Sequence, residues 1–73
     1  MKKNELISFF SEFWQIDKKL INDSLILDSE NLKDFSSIRV YQFFAAIESN
    51  FNVKFKDIEN IKTFKDLYEN ISK

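Results

Sequence analysis

The 73-residue chain contains no cysteine, histidine, glycine or proline. Each absence removes a class of structure or chemistry. Without cysteine there is no disulfide to staple a chain close to the lower size limit for a single core. Without cysteine and histidine, the usual ligands for zinc or an iron–sulfur cluster are missing, so no metal site is expected. The residues most used as thiol nucleophile and general base are missing too. No glycine-rich phosphate loop exists, and no acid pair has an independent reason to be buried together, so the chain is not expected to be an enzyme. Turns fall to Asn, Asp and Ser, which cluster at Asn22-Asp23-Ser24 and Asp28-Ser29-Glu30-Asn31.

Long apolar runs are also lacking, and none approaches the length of a membrane span. Lys2 and Lys3 precede no continuous apolar region and no small-residue cleavage site, so no signal peptide is expected. A cytoplasmic location follows by default. The formal net charge is −1, and no basic stripe is present, which leaves nucleic-acid binding without electrostatic support. A helix-turn-helix reader would need a basic recognition helix, whereas the central helix here has one arginine and much aromatic bulk.

What the chain does have is phenylalanine, nine residues of it, together with Trp14. Large rings bury much surface per residue and suit a minimal core. Leu6, Phe9, Phe10, Phe13 and Trp14 recur at helical spacing, predicting a helix over 4–14 with Asn4 as N-cap. A long connection, 15–36, carries regularly placed apolar residues: Ile16, Leu20, Ile21, Leu25, Leu27, Leu32 and Phe35. Those anchors predict a loop packed on the core, and a loop of that length is often functional. From Ser37, the residues Val40, Phe44, Ile47 and Phe51 form a stripe on a helix ending near Asn50 or Asn52. Segment 51–55 alternates like a strand but has no partner strand, so it is read as an extended loop inserting Val53 and Phe55. A short helix over Asp57–Ile61 follows. Thr63 then caps a last helix with Phe64, Leu67, Tyr68 and Ile71 on its inner face. The expected fold is all-α, a small bundle of three main helices plus one short helix, in a single domain over 1–73.

This order of elements, with Asp34-Phe35-Ser36-Ser37-Ile38 opening the central helix, resembles the acyl carrier protein family. That family opens its second helix with Asp-Ser-Leu or Asp-Ser-Ile. The likeness continues through Ala46-Ile47-Glu48-Ser49-Asn50-Phe51-Asn52-Val53 and Thr63-Phe64-Lys65-Asp66-Leu67. It covers residues 34–71; helix one and the loop match in pattern. Two departures are visible: Ser36 stands where the family has Asp, and Ile38 where it commonly has Leu. Counting back from Phe51 along the stripe, the family's spacing lands on Ser37, whereas choosing Ser36 would put a serine in the apolar slot.

The resemblance implies that Ser37 carries a covalent 4′-phosphopantetheine arm derived from coenzyme A, with Ser36 as the alternative attachment site. A helix N-terminus suits the arm's phosphodiester, because free N–H groups and the dipole favour an anion. The arm would hold an acyl or aminoacyl group as a thioester and pass it between enzymes of lipid, secondary-metabolite or cell-wall biosynthesis. Implied partners are a phosphopantetheinyl transferase and the loading and transferring enzymes, served by a monomer without membrane insertion. Ile38, Arg39, Tyr41, Gln42, Ala45 and Glu48 are the candidate partner-recognition positions. Arg39 is read either as a partner for the arm's phosphate or as a solvated arginine. Tyr41 and Phe43 are read as core, with an exposed patch as the alternative. Local charge after Ser37 is balanced, unlike the acidic second helix of carriers in fatty-acid synthesis, so a specialised carrier is expected. The aromatic interior predicts little room for a long acyl chain. The rival reading is a carrier-fold interaction module without the arm, suggested by Ser36 in the family's Asp position.

Overall fold

The first helix, α1 (Lys3–Trp14), buries Leu6, Phe10 and Trp14, one residue from each successive turn. It starts two residues earlier than an Asn4 cap would allow. Lys2 is the N-cap without a side-chain bond, and its carbonyl accepts from Glu5 N and Leu6 N at 3.1 and 3.2 Å. The chain leaves α1 through Gln15, which adopts left-handed backbone (φ 53°, ψ 51°). Asp34, Asn52 and Asp57 also have positive φ. These are the places where a chain without glycine must still reverse, and Asn and Asp tolerate the conformation best among residues with a Cβ. The coordinates are those of a computed structural model, which describes residues 2–55 and 57–71.

The connection 15–36 is ordered by short polar side chains folding back on their own backbone. Asp17 caps a 3₁₀ turn, Lys18–Leu20, by accepting from Lys19 N at 2.9 Å. Asn22 accepts from Ser24 N, and Asp28 accepts from both Glu30 N and Asn31 N. Ile21 and Leu32 are buried, while Ile16, Leu25, Leu27 and Phe35 pack against the core from outside. Leu20 departs from the expected anchors: it is 59% exposed, its neighbour Ile21 having taken the inward place. Pairing with the approach to the last helix, which the sequence pattern did not indicate, secures the loop's middle. Ile26 and Thr63 form an isolated antiparallel bridge, with Leu27 N donating to Lys62 O and Phe64 N to Leu25 O, each at 2.9 Å.

The second helix, α2 (Ser37–Phe51), buries Phe43, Phe44 and Ile47, with Val40 and Phe51 at the margin. The expected stripe lies on the inner face, but its centre is shifted to take in Phe43. That ring is the hub of the core. It meets Phe9, Phe10, Phe13, Trp14 and Phe44 with centroids 5.0–6.0 Å apart. Phe10 in turn meets Phe64 edge-on at 5.5 Å, which ties α1 to the last helix. Each such pair adds about 0.5–1.5 kcal/mol beyond area burial, and each buried ring contributes about 1.5–3 kcal/mol. Interlocking aromatic pairs, most of them edge-on or tilted, thus take the place of the missing staples.

After Asn52, residues 53–55 form no strand, and Val53 and Phe55 pack against the core. Glu48 holds this segment by accepting from Phe55 N at 2.9 Å, and the Phe55 ring sits 4.8 Å from that of Phe44. The expected short helix is a 3₁₀ turn, Ile58–Asn60. The last helix, α3 (Phe64–Ile71), buries Phe64, Leu67 and Ile71, with Tyr68 packed alongside. It begins with a reciprocal cap. Asp66 N donates to Thr63 Oγ1, and Thr63 N donates to an Asp66 carboxylate oxygen, each at 3.2 Å. Three helices and no strand make this a small all-α bundle among the described residues. Its radius of gyration, 11.1 Å, is that of a compact chain.

Candidate functional site

The start of α2 is built by three neighbours. Phe35 stacks on Trp14 at 5.9 Å and so pins the end of the long loop to α1. Asp34, at φ 60°, turns the chain before it. Ser36 is extended (φ −156°, ψ 165°) and is the N-cap: its Oγ accepts from Arg39 N at 3.2 Å, and its carbonyl accepts from Val40 N at 2.9 Å. Ser and Asp are nearly equivalent in this role. Ser36 therefore does what an Asp would do at a helix start.

Ser37 is the first residue inside the helix and is exposed. Its hydroxyl has no partner among the described residues, whereas that of Ser36 is engaged in the cap. The backbone N–H groups of Ser37 and Ile38 are also free, as the first donors of a helix are. A free hydroxyl thus stands beside two free donors at the positive end of a 15-residue helix. The arrangement suits an anionic ester on Ser37.

Ser37 opens onto a groove of about 220 Å³ between α2 and the second 3₁₀ turn, walled by Phe35, Val40, Tyr41, Ile58 and Glu59. A wider groove of about 440 Å³ continues past Tyr41 to Phe55 and Asp57. Behind Phe35, Val40 and Ile58 lies an apolar cavity of about 50 Å³ that reaches Trp14, Phe43 and Ile61. It is far smaller than the roughly 150 Å³ that lets an apolar cavity hold benzene. Sequence reasoning missed Ile58 and Glu59 as walls of this groove. The short helical segment was legible, but nothing in its pattern says which face meets α2.

The candidate recognition positions divide into two groups. Ile38 (72% exposed) and Tyr41 (61%) stand out in solvent, with Gln42 and Ala45 also exposed. Tyr41 is therefore not core, unlike Phe43, which is 2% exposed. Helix geometry separates them, since residues two apart point to nearly opposite sides. Arg39 and Glu48 are not free surface charges. Arg39 Nη2 donates to Phe13 O at 2.8 Å, and its guanidinium lies 4.6 Å from the Phe13 ring and 5.3 Å from that of Trp14. It is not a solvated arginine, because the side chain turns back onto the end of α1, and it does not wall the groove at Ser37, where the arm's phosphate would sit. Glu48 is half-buried and holds Phe55 N.

No group of three or more His, Cys, Asp or Glu that could hold a metal occurs among the described residues. None of the helices described is long and apolar enough to cross a membrane. No protein-family model matches the chain, and no curated protein matches it.

Proposed function

We propose that this chain is an acyl-carrier-type protein bearing 4′-phosphopantetheine on Ser37. The observation that carries the reading is the unpartnered, exposed Ser37 hydroxyl at the first position of α2, beside an engaged Ser36. Coenzyme A would donate the group, with a transferase as catalyst. The Ser37 oxygen forms the new bond to phosphorus, the bond to the nucleotide portion breaks, and the hydroxyl proton passes to the transferase. When bound, the group supplies a thiol that holds an acyl or aminoacyl cargo as a thioester.

The chain's own residues have three tasks. Ser36 caps the helix and so fixes the direction in which the Ser37 Oγ leaves it. The free N–H groups of Ser37 and Ile38 offset the charge of the phosphodiester. Ile38 and Tyr41, large apolar side chains left in solvent beside Ser37, form the surface that the transferase and the loading enzymes read. Gln42 and Ala45 extend that surface. The cargo rides outside the bundle, because the cavity of about 50 Å³ has no room for a long chain. A short acyl or aminoacyl group handled in the cytoplasm, in a specialised pathway, is the reading these features support.

The test is the intact mass of the purified protein after incubation with coenzyme A and a broad-specificity phosphopantetheinyl transferase. Wild type and Ser36→Ala should gain one phosphopantetheine, and Ser37→Ala should gain none. Gain in Ser37→Ala but not in Ser36→Ala would move the site by one residue. No gain in the wild type would leave the exposed Ile38–Tyr41 surface as that of an interaction module without the arm.

A further inference from the structure

We propose that a second pocket, between the end of α1 and the start of α2, is a binding site for a small oxyanion, a carboxylate or a phosphate. The pocket measures about 240 Å³ and is walled by Trp14, Gln15, Lys33, Asp34 and Arg39. It shares no wall with the groove at Ser37, and the inference does not depend on the carrier reading.

Charge is the first argument. Two cations and one acid wall the pocket, and neither Lys33 nor Arg39 pairs with a carboxylate among the described residues. Arg39 is half-buried between the Phe13 and Trp14 rings, so part of its hydration is already lost. A buried or half-buried cation without a counter-charge is costly, and a carbonyl dipole offsets only part of that cost. Here the Phe13 carbonyl takes Nη2 alone.

Donor count is the second argument. Arg39 Nε and the Trp14 indole Nε1 are buried with no hydrogen-bond partner, and both belong to side chains that wall this pocket. Leaving a buried donor unpaired costs about 1–3 kcal/mol. With Nη2 engaged on Phe13 O, Nε and Nη1 are the guanidinium donors left without a partner among the described residues, and Lys33 walls the same pocket. An anionic acceptor there forms charge-assisted bonds, about twice as strong as neutral ones, and guanidinium favours planar or tetrahedral oxyanions in particular. Two cations exclude a cationic ligand. The polar walls and modest volume exclude a long apolar one. An acidic side chain of a partner protein and a free phosphate share the required chemistry.

Arg39 is the chain's one arginine and Trp14 its one tryptophan, so Arg39 Nε–H and Trp14 Nε1–H give two unambiguous signals in a ¹⁵N spectrum. The experiment titrates the full chain with inorganic phosphate and, separately, with acetate, holding ionic strength constant with chloride. Saturable shifts of both signals are expected with a Kd on the order of 1–10 mM. Lys33→Glu should weaken binding by about fivefold or more, through loss of one attraction and gain of one repulsion. Lys33 is exposed, and Lys33→Gln serves as a second variant should the charge reversal disturb the fold. Saturation by phosphate alone assigns the site to a tetrahedral oxyanion. Saturation by acetate as well assigns it to a carboxylate, and so to an acidic side chain. Shifts that stay linear, that chloride reproduces, or that both Lys33 variants leave unchanged would overturn the proposal.

Discussion

The inner and outer faces of α2 solve opposite problems with the same kinds of residue. On the inner face, Phe43, Phe44 and Ile47 are at most 3% exposed; Phe43 meets rings of α1, and Phe44 meets Phe55 in the loop after Asn52. On the outer face, Ile38 and Tyr41 are equally apolar and are left 72% and 61% exposed, on either side of the half-buried Arg39 and Val40. Burial accounts fully for the first set. Folding gains nothing from the second, since an exposed Ile or Tyr adds little that a polar residue would not. Both follow a serine whose hydroxyl is free, and the proposed function makes them the surface that partners read. On the proposed function, what α2 contributes to stability and what it contributes to partner contact are separable.

That separation is open to attack at several strengths. The largest effect belongs to Phe43→Ala, which should cost about 3–5 kcal/mol. For a chain of this size that is most of the available stability, and a urea midpoint measures it. A loss below about 1 kcal/mol would mean that the ring hub is not the centre of the core. Next comes the cap. Ser36→Ala should lose about 1 kcal/mol, and Ser37→Ala should stay within about 0.5 kcal/mol of wild type, by the same denaturation. Equal losses would contradict the division of labour between the two serines.

The third test concerns acid and α3. Asp66 accepts from Lys62 N and Thr63 N, and these bonds, Lys62 first, outweigh desolvation and hold its carboxyl below the ordinary carboxylate value. A folded-state pKa below the unfolded one adds stability that is present above about pH 4 and lost as pH falls through the folded value. Asp66→Asn should flatten the acid limb of a thermal-stability profile while leaving both faces of α2 unchanged. The smallest effect on stability belongs to Ile38→Ser and Tyr41→Ser, each within about 0.5 kcal/mol. Their modification rate with a phosphopantetheinyl transferase should nevertheless fall, by about tenfold for the pair. A stability loss without a change in rate would place them in the core economy after all.

Most of the architecture was legible because amphipathic period and capping chemistry are local. The stripes of α1 and α3, the Thr63 cap and the Asn/Asp turns of the loop need only neighbours a few residues away. What was illegible depended on distant partners. Arg39 looked like a surface charge, since only tertiary structure brings the Phe13 carbonyl and the Trp14 ring to it. Glu48 looked free for the same reason, its partner being the backbone of Phe55. Tyr41 and Phe43 were inseparable by composition, and the rotation of α2 about its own axis settled which of them faces in. The Ile26–Thr63 bridge joins segments 37 residues apart, and no periodicity announces such a pair. At the candidate site, Ser37 was reachable by counting back along the stripe from Phe51. The Ile58–Glu59 wall was not, because it belongs to another turn of the chain.

The central claim is that the free hydroxyl at the start of α2 is a site of attachment, and one measurement addresses it most directly. The chain is purified from the cells that make it, its intact mass is recorded, and any added mass is mapped to a residue by fragmentation. The account predicts a population heavier by one phosphopantetheine, with the added mass on Ser37. A chain found wholly unmodified there, or carrying the group on Ser36, would contradict it.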